Sequence, residues 1–369
     1  MKIAKIKGIE IRLHLSTLLI IGLVGFYATS FYISIFPQAS IFELIIIGLA
    51  NGLIILFSIL IHEISHSLVA QKYGLGVSEI VLYLFGGVSK IEEEPKTPKS
   101  EMIIAIVGPL SSLLVGGSML LVFSLPIHLN TVVLITLLYS GISNIGLGIF
   151  NLLPAFPIDG GRVLRAFLWR RRKSLISATR SASKVGIFFG YSLMIYGVLQ
   201  ILTFGIIGGF WLIIIGSYLK NSARQSYAQI LTNVSLSKLS VREILNLPKL
   251  RIPFNTSIND AIKEYFIPYD KSYFPVIQGN EIIGIVHISD IQKISKMRRS
   301  EYIVGYIMRR LSEFNLIDDE KNGKEAMIKI RKLENKPHIL IVKDKKNNKL
   351  IGFLSEEEIF SSLKINNLN

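Results

Sequence analysis

His62, Glu63 and His66 stand in the pattern HExxH inside an otherwise apolar stretch, residues 51–70, NGLIILFSILIHEISHSLVA. On a helix, side chains four apart share a face, so two imidazoles can point at one metal ion while Glu63 stands beside them. Neutral imidazoles suit zinc, whose catalytic sites use three protein ligands and leave one position for water. Polar groups at membrane depth are costly, so three together in an apolar run read as a functional cluster. The chain has no cysteine, so the missing third ligand must be another histidine or a carboxylate from elsewhere in the sequence.

The elements that must position these residues are read from hydropathy and charge. The 369 residues are 50% hydrophobic and 18% charged, with a mean hydropathy of +0.48, too apolar for a soluble protein of this length. Runs long enough to cross a bilayer are expected at about residues 13–36, 41–70, 102–125, 132–153, 185–202 and 206–219. The first of these is too long for a signal-peptide core, although Lys2, Lys5 and Lys7 precede it. Six crossings return the chain to its starting side. Lys and Arg gather in the N-terminal arm, in the loop after the second span, and after the fourth span from Arg162 to Lys184; the three alternate connections carry none. By the positive-inside rule both termini are therefore cytoplasmic in a multi-pass cell-membrane protein. The formal charge of +15 follows from this topology and from anionic lipid headgroups, and no nucleic-acid partner is expected. The Arg170 to Lys173 run is read as a topology anchor.

Two further stretches surround the HExxH helix. Between spans two and three, the apolar middle of Gly74 to Glu94 is too short to cross, and its β-branched residues with Phe85, Gly86 and Gly87 suggest a β-hairpin over residues 79–88. Such a segment must be buried in protein or line a cavity. The fourth span ends in NLLPAFPIDGGR, where Pro154, Pro157, Gly160 and Gly161 should break the helix and leave Asp159 on an irregular segment. Spans two and four run in the same direction, so His62, His66 and Asp159 all fall toward cytoplasmic ends, and one shared site is permitted. At about 1.5 Å per residue the site would lie on the order of 12 Å below the surface.

With these motifs in hand, residues 9–219 resemble the site-2 proteases, intramembrane zinc metalloproteases, through HEISH at His62 to His66, the FGG of Phe85 to Gly87, Gly108-Pro109, and NLLPAFPIDGG from Asn151 to Gly161. The resemblance implies that His62, His66 and Asp159 bind one zinc ion and that Glu63 activates water. It also implies that Asn151 helps hold the substrate backbone and that the substrate is a membrane-anchored protein cut within or near its transmembrane segment; the hairpin with Phe85, Gly86 and Gly87 is expected to bind the same extended segment by adding its edge to it. The rival from another class is a transporter or channel that uses the His/Glu/Asp cluster as an ion or proton site; a third reading is an inactive scaffold.

Past Lys220 the composition becomes charged and alternating, with residues 221–236 read as a linker. Two repeats follow, at 237–300 and 301–369, each in the order helix, strand, strand, helix. They resemble a pair of cystathionine-β-synthase (CBS) domains, which in many members bind adenine nucleotides. The ribose-binding Thr/Ser-x-x-Asp is altered here: His287 replaces Thr while Asp290 is kept, and Ser355 is followed by Glu358 in place of Asp. The alternatives are therefore an adenine nucleotide, or a structural role that includes a homodimer through the CBS domains. The expected fold is thus an α-helical polytopic membrane protein of six transmembrane helices with a short β-hairpin, residues 1–220, carrying a cytoplasmic α/β tandem CBS domain.

Overall fold

The structure is a computed structural model and describes every residue except 1, 84–85, 92–93, 205, 246–249, 334–336 and 367–369. It divides into two units, Met1–Ala228 and Gln229–Asn369.

The first unit opens on strands where the sequence suggested only a basic arm. β1 (Lys2–Ile6) and β2 (Ile9–Leu13) form an antiparallel pair whose turn places Lys7 and Gly8 at positive φ. In β2, Ile9 and Ile11 face inward while Arg12 is exposed, the alternation of a half-buried strand. β2 then lies parallel to β3 (Val77–Tyr83), which pairs antiparallel with β4 (Gly86–Ile91). The expected hairpin is thus the far half of a four-stranded sheet ordered β1-β2-β3-β4; Phe85 lies outside the described residues.

Six helices follow from the apolar runs, α1 (Thr17–Ile35), α2 (Ile41–Lys72), α3 (Pro98–Ser124), α4 (Thr131–Leu152), α6 (Leu175–Phe204) and α7 (Ile206–Lys238), and a shorter, arginine-rich helix, α5 (Asp159–Arg172), stands between α4 and α6. Among the described residues five are long and apolar enough to cross a membrane, namely α1 to α4 and residues 175–203 of α6. The sixth expected span, residues 206–219, lies at the start of α7, which is not among those five. Residues 221–236, expected to be a linker, continue α7 as helix. Leu18, Phe42, Leu114 and Leu202 are each more than half exposed, as side chains facing lipid would be.

Local chemistry fixes where these helices begin. Ser40 caps α2 and Glu43 reaches back to the Ser40 amide in a capping box, and Thr97 caps α3 ahead of Pro98, each cap contributing about 1 kcal/mol. Packing then depends on small residues. A Cβ on Gly116 of α3 would come within 2.8 Å of the Gly141 carbonyl of α4, so its absence lets the two backbones approach.

In the second unit the two repeats are intertwined. The core of the second repeat includes Val241 and Ile244 from the start of the first, with Leu236 from the end of α7, and the core of the first includes Val304 from the start of the second. Each repeat contributes an antiparallel pair, Tyr273–Gln278 with Glu281–His287 and Ile339–Lys343 with Leu350–Ser355. Tyr273, Ile285, Ile339, Ile341 and Phe353 join the two pairs in one apolar cluster. Neither repeat could bury these faces alone.

Candidate metal centre

α2 brings His62 and His66 to one face, as their spacing requires, and the chain beyond α4 returns to meet them. The Nε2 atoms of His62 and His66 are 3.1 Å apart, and each is 3.1 Å from Asp159 Oδ2. The three residues are 5%, 4% and 8% exposed and form the one candidate metal-holding group found among the described residues. Asp159 is not on an irregular segment as the prolines and glycines suggested. The break is confined to residues 153–158, and Asp159 is the first residue of α5, where the helix N-terminus favours a carboxylate.

The donor set fits a divalent cation. His66 Nδ1 lies 2.6 Å from the Ile104 carbonyl; a carbonyl only accepts, so this nitrogen is assigned the proton and Nε2 presents its lone pair to the centre. His62 Nδ1 is held at 2.9 Å by Ser112 Oγ, again leaving Nε2 inward. Two imidazole nitrogens and a carboxylate oxygen in a tight buried triangle leave electron-rich atoms facing one another, which a cation relieves. Zinc ligands at about 2.0–2.1 Å in tetrahedral array stand roughly 3.3–3.4 Å apart, close to the observed spacing. The site also needs Gly108, because a Cβ there would run into both imidazoles.

Glu63 sits beside the triangle in a cavity of about 520 Å³, whose lining includes Asn151, Gly86, Gly87, Ser89 and Arg162. Asn151 donates to the Leu147 carbonyl at 3.0 Å while bordering the cavity. Gly87 lies against the Glu63 side chain so closely that no Cβ fits between them. The expected companions Asn151, Gly86 and Gly87 are thus brought to the metal-ligand candidates.

Two arginines counted in the sequence as loop charges belong to the site. Arg162 Nη1 stands 3.6 Å from Asp159 Oδ1. Arg165 is 5% exposed, its Nε bonds to buried Glu101 on α3, its Nη2 to Glu94, and its guanidinium lies 5.0 Å over the Phe156 ring. This pair pins α5, and with it Asp159, to α3. Removing Arg165 would leave the Glu101 carboxylate buried without its ion-pair partner, at a cost of about 3–5 kcal/mol, whereas Arg165 without Glu101 would keep its contact with Glu94. A glutamate at the head of an apolar span was the sequence signal for it, but its partner lay 64 residues away.

In the second unit the predicted nucleotide carboxylates already have protein partners. Asp290 takes Arg309 Nε and Nη2 at 3.0 and 2.9 Å and Lys293 Nζ at 2.9 Å. These bonds hold its carboxyl below the usual range although burial pulls the other way. Glu358 accepts from Tyr273 Oη at 2.7 Å and from the Ser355 amide and hydroxyl at 2.8 and 3.1 Å. Burial nevertheless pushes Glu358 above the ordinary carboxylate range. A raised acid favours folding below its unfolded pKa, and that contribution is lost as pH rises through the folded value. The thermal midpoint of residues 229–369 is therefore expected to rise as pH falls from neutrality toward about 4.3, the ordinary glutamate value. Asp290, being lowered, acts with opposite sign only below its own ordinary value. Glu358→Gln should flatten the rise; identical pH slopes in the two proteins would show that Glu358 does not cause it.

Sequence comparison places these features among known proteins. Residues 51–128 and 124–196 match the family model for Peptidase family M50, and residues 241–296 match the CBS domain. Rip3 of Mycobacterium tuberculosis, provisionally named a zinc metalloprotease, is 29% identical over 308 residues, 83% of this chain and 78% of that one. A zinc metalloprotease of Methanocaldococcus jannaschii is 26% identical over 366 residues, covering 99% and 96% of the two chains. A solved site-2 protease from Methanocaldococcus jannaschii, 29% identical, aligns with 61% of this chain and 94% of its own with a TM-score of 0.42.

Proposed function

We propose, from the matches to the Peptidase family M50 and CBS domain models, that the chain is a zinc metalloprotease of the site-2 type that cuts membrane-anchored proteins within or near their transmembrane segments, as in regulated intramembrane proteolysis. The observation that carries this reading is the triangle of His62, His66 and Asp159 opening on the cavity that holds Glu63. In this reading the triangle holds one zinc ion, which when bound supplies the Lewis acidity that makes water acidic and polarises a peptide carbonyl.

The chain's own residues do the rest. Glu63 takes a proton from the attacking water as the new C–O bond forms, and returns it to the amine nitrogen as the C–N bond breaks. The Ile104 carbonyl and Ser112 keep the imidazoles turned toward the centre. A helical substrate would have its amides engaged and its scissile bond shielded, so it must extend. β4 is an edge strand that borders the cavity from Gly86 to Ser89 and can offer its backbone to an extended segment, with Asn151 steadying the same segment. We take the start of α7 as a sixth span, with both termini cytoplasmic, because Lys and Arg alternate between connections in that sense. The internal pairing of Asp290 and Glu358 favours a structural or dimerising tail over one that binds an adenine nucleotide.

The purified protein is expected to release two fragments from a tagged single-span substrate, and to stop doing so when zinc is chelated. The rival transporter would instead move ions or solute across liposomes and leave the substrate whole.

A further inference from the structure

We propose that Ser89 is a positioning residue that sets the Glu63 carboxylate and thereby ties the base to the strand that receives substrate; the inference rests on Glu63 being the base. Ser89 Oγ donates to Glu63 Oε2 at 2.8 Å, a charge-assisted bond of ordinary good length. The direction of the Ser89 proton is itself fixed, because Ser67 Oγ donates to Ser89 Oγ at 3.1 Å. Ser67 is fully buried and lies one helical turn beyond Glu63 on α2. A chain therefore runs from Ser67 through Ser89 to Glu63, leaving the α2 helix, crossing to β4, and returning.

The same strand confines the base from another side. Gly87 abuts the Glu63 side chain, with no room for a Cβ between them, so Oε2 is tethered to β4 while the stem is packed on it. A glutamate has three side-chain torsions, and one held at a single carboxylate oxygen loses most of that freedom. Among the described residues β4 pairs with β3 alone, and its cavity border carries both Gly87 and Ser89. An extended segment pairing with β4 would fix the strand's position, and the hydrogen bond from Ser89 would carry that position to the base. Binding and proton transfer would then be aligned by one element.

The experiment compares full-length, zinc-loaded Ser89→Ala, Ser89→Thr and Glu63→Gln with wild type in cleavage of the tagged single-span substrate, with zinc content measured on each. Ser89→Ala is expected to lower kcat by about 10–100-fold, the usual cost of removing an orienting partner, with KM and zinc content unchanged. Ser89→Thr, which keeps the hydroxyl, is expected to restore most of the rate. Full kcat in Ser89→Ala beside an inactive Glu63→Gln would overturn the positioning role alone. A Ser89→Thr as slow as Ser89→Ala, or a loss expressed in KM or zinc content, would also overturn it by assigning the effect to strand packing. An active Glu63→Gln would instead remove the underlying reading of the base.

Discussion

Replacing Glu63 by Gln is expected to abolish substrate cleavage while leaving zinc in place. Glutamine keeps the length and nearly the volume of the side chain, so it can still lie against Gly87 and accept from Ser89 through its carbonyl. What it cannot do is take a proton from water and return it to an amine. General-base catalysis contributes about 10²–10⁴ in rate, and here the same group would also act as the acid, so the loss should be at least that large. The zinc should remain because Glu63 is outside the triangle formed by His62, His66 and Asp159. Cleavage kinetics and metal analysis on the same purified preparation decide it. Wild-type turnover in Glu63→Gln would refute the assignment.

Asp159→Asn should fail earlier, at the metal. Asp159 Oδ2 stands 3.1 Å from both imidazole Nε2 atoms and supplies the negative charge of the set. Asparagine would offer a neutral carbonyl or turn its NH₂ toward the imidazoles. The expected fall in zinc affinity exceeds the roughly 10–100-fold that follows loss of a mere orienting partner, and activity should fall with it. The other consequence is smaller: a carboxylate at the start of α5 contributes only about 0.3–1 kcal/mol to the helix, too little to unfold the protein. Zinc loss in a protein with unchanged helical content therefore identifies a ligand. Unchanged zinc content would strike Asp159 from the set.

Much of the membrane region was legible in the sequence because its signals are local. HExxH states its geometry through the helical period alone, and the length of an apolar run decides whether a helix can cross a bilayer. The lysines and arginines of alternate connections gave the topology proposed above. Where a short signal competed with a long one, the reading failed. The alternation in Ile9 to Leu13 belongs to β2, but it sits next to a long apolar run and was absorbed into an arm and the beginning of a span. The prolines and glycines before Arg162 correctly marked a break, yet a break states nothing about where the next helix starts, and α5 starts at Asp159.

By itself, then, the sequence determined that His62, Glu63 and His66 share one helix in an apolar setting, that a histidine or a carboxylate from elsewhere had to complete the set, and that the charged tail consists of two similar units. Only the tertiary structure decided that Asp159 closes the triangle, that Gly108 makes room for it, that Arg165 and Glu101 pin its helix, and that Ser89 reaches Glu63 from a different element. It also decided that each tail repeat completes the core of the other. The physical reason is the same throughout. Periodicity and run length are properties of neighbours along the chain, whereas the triangle of His62, His66 and Asp159, a buried ion pair and a hydrogen bond to the Glu63 carboxylate are set by how closely and at what register distant backbones cross.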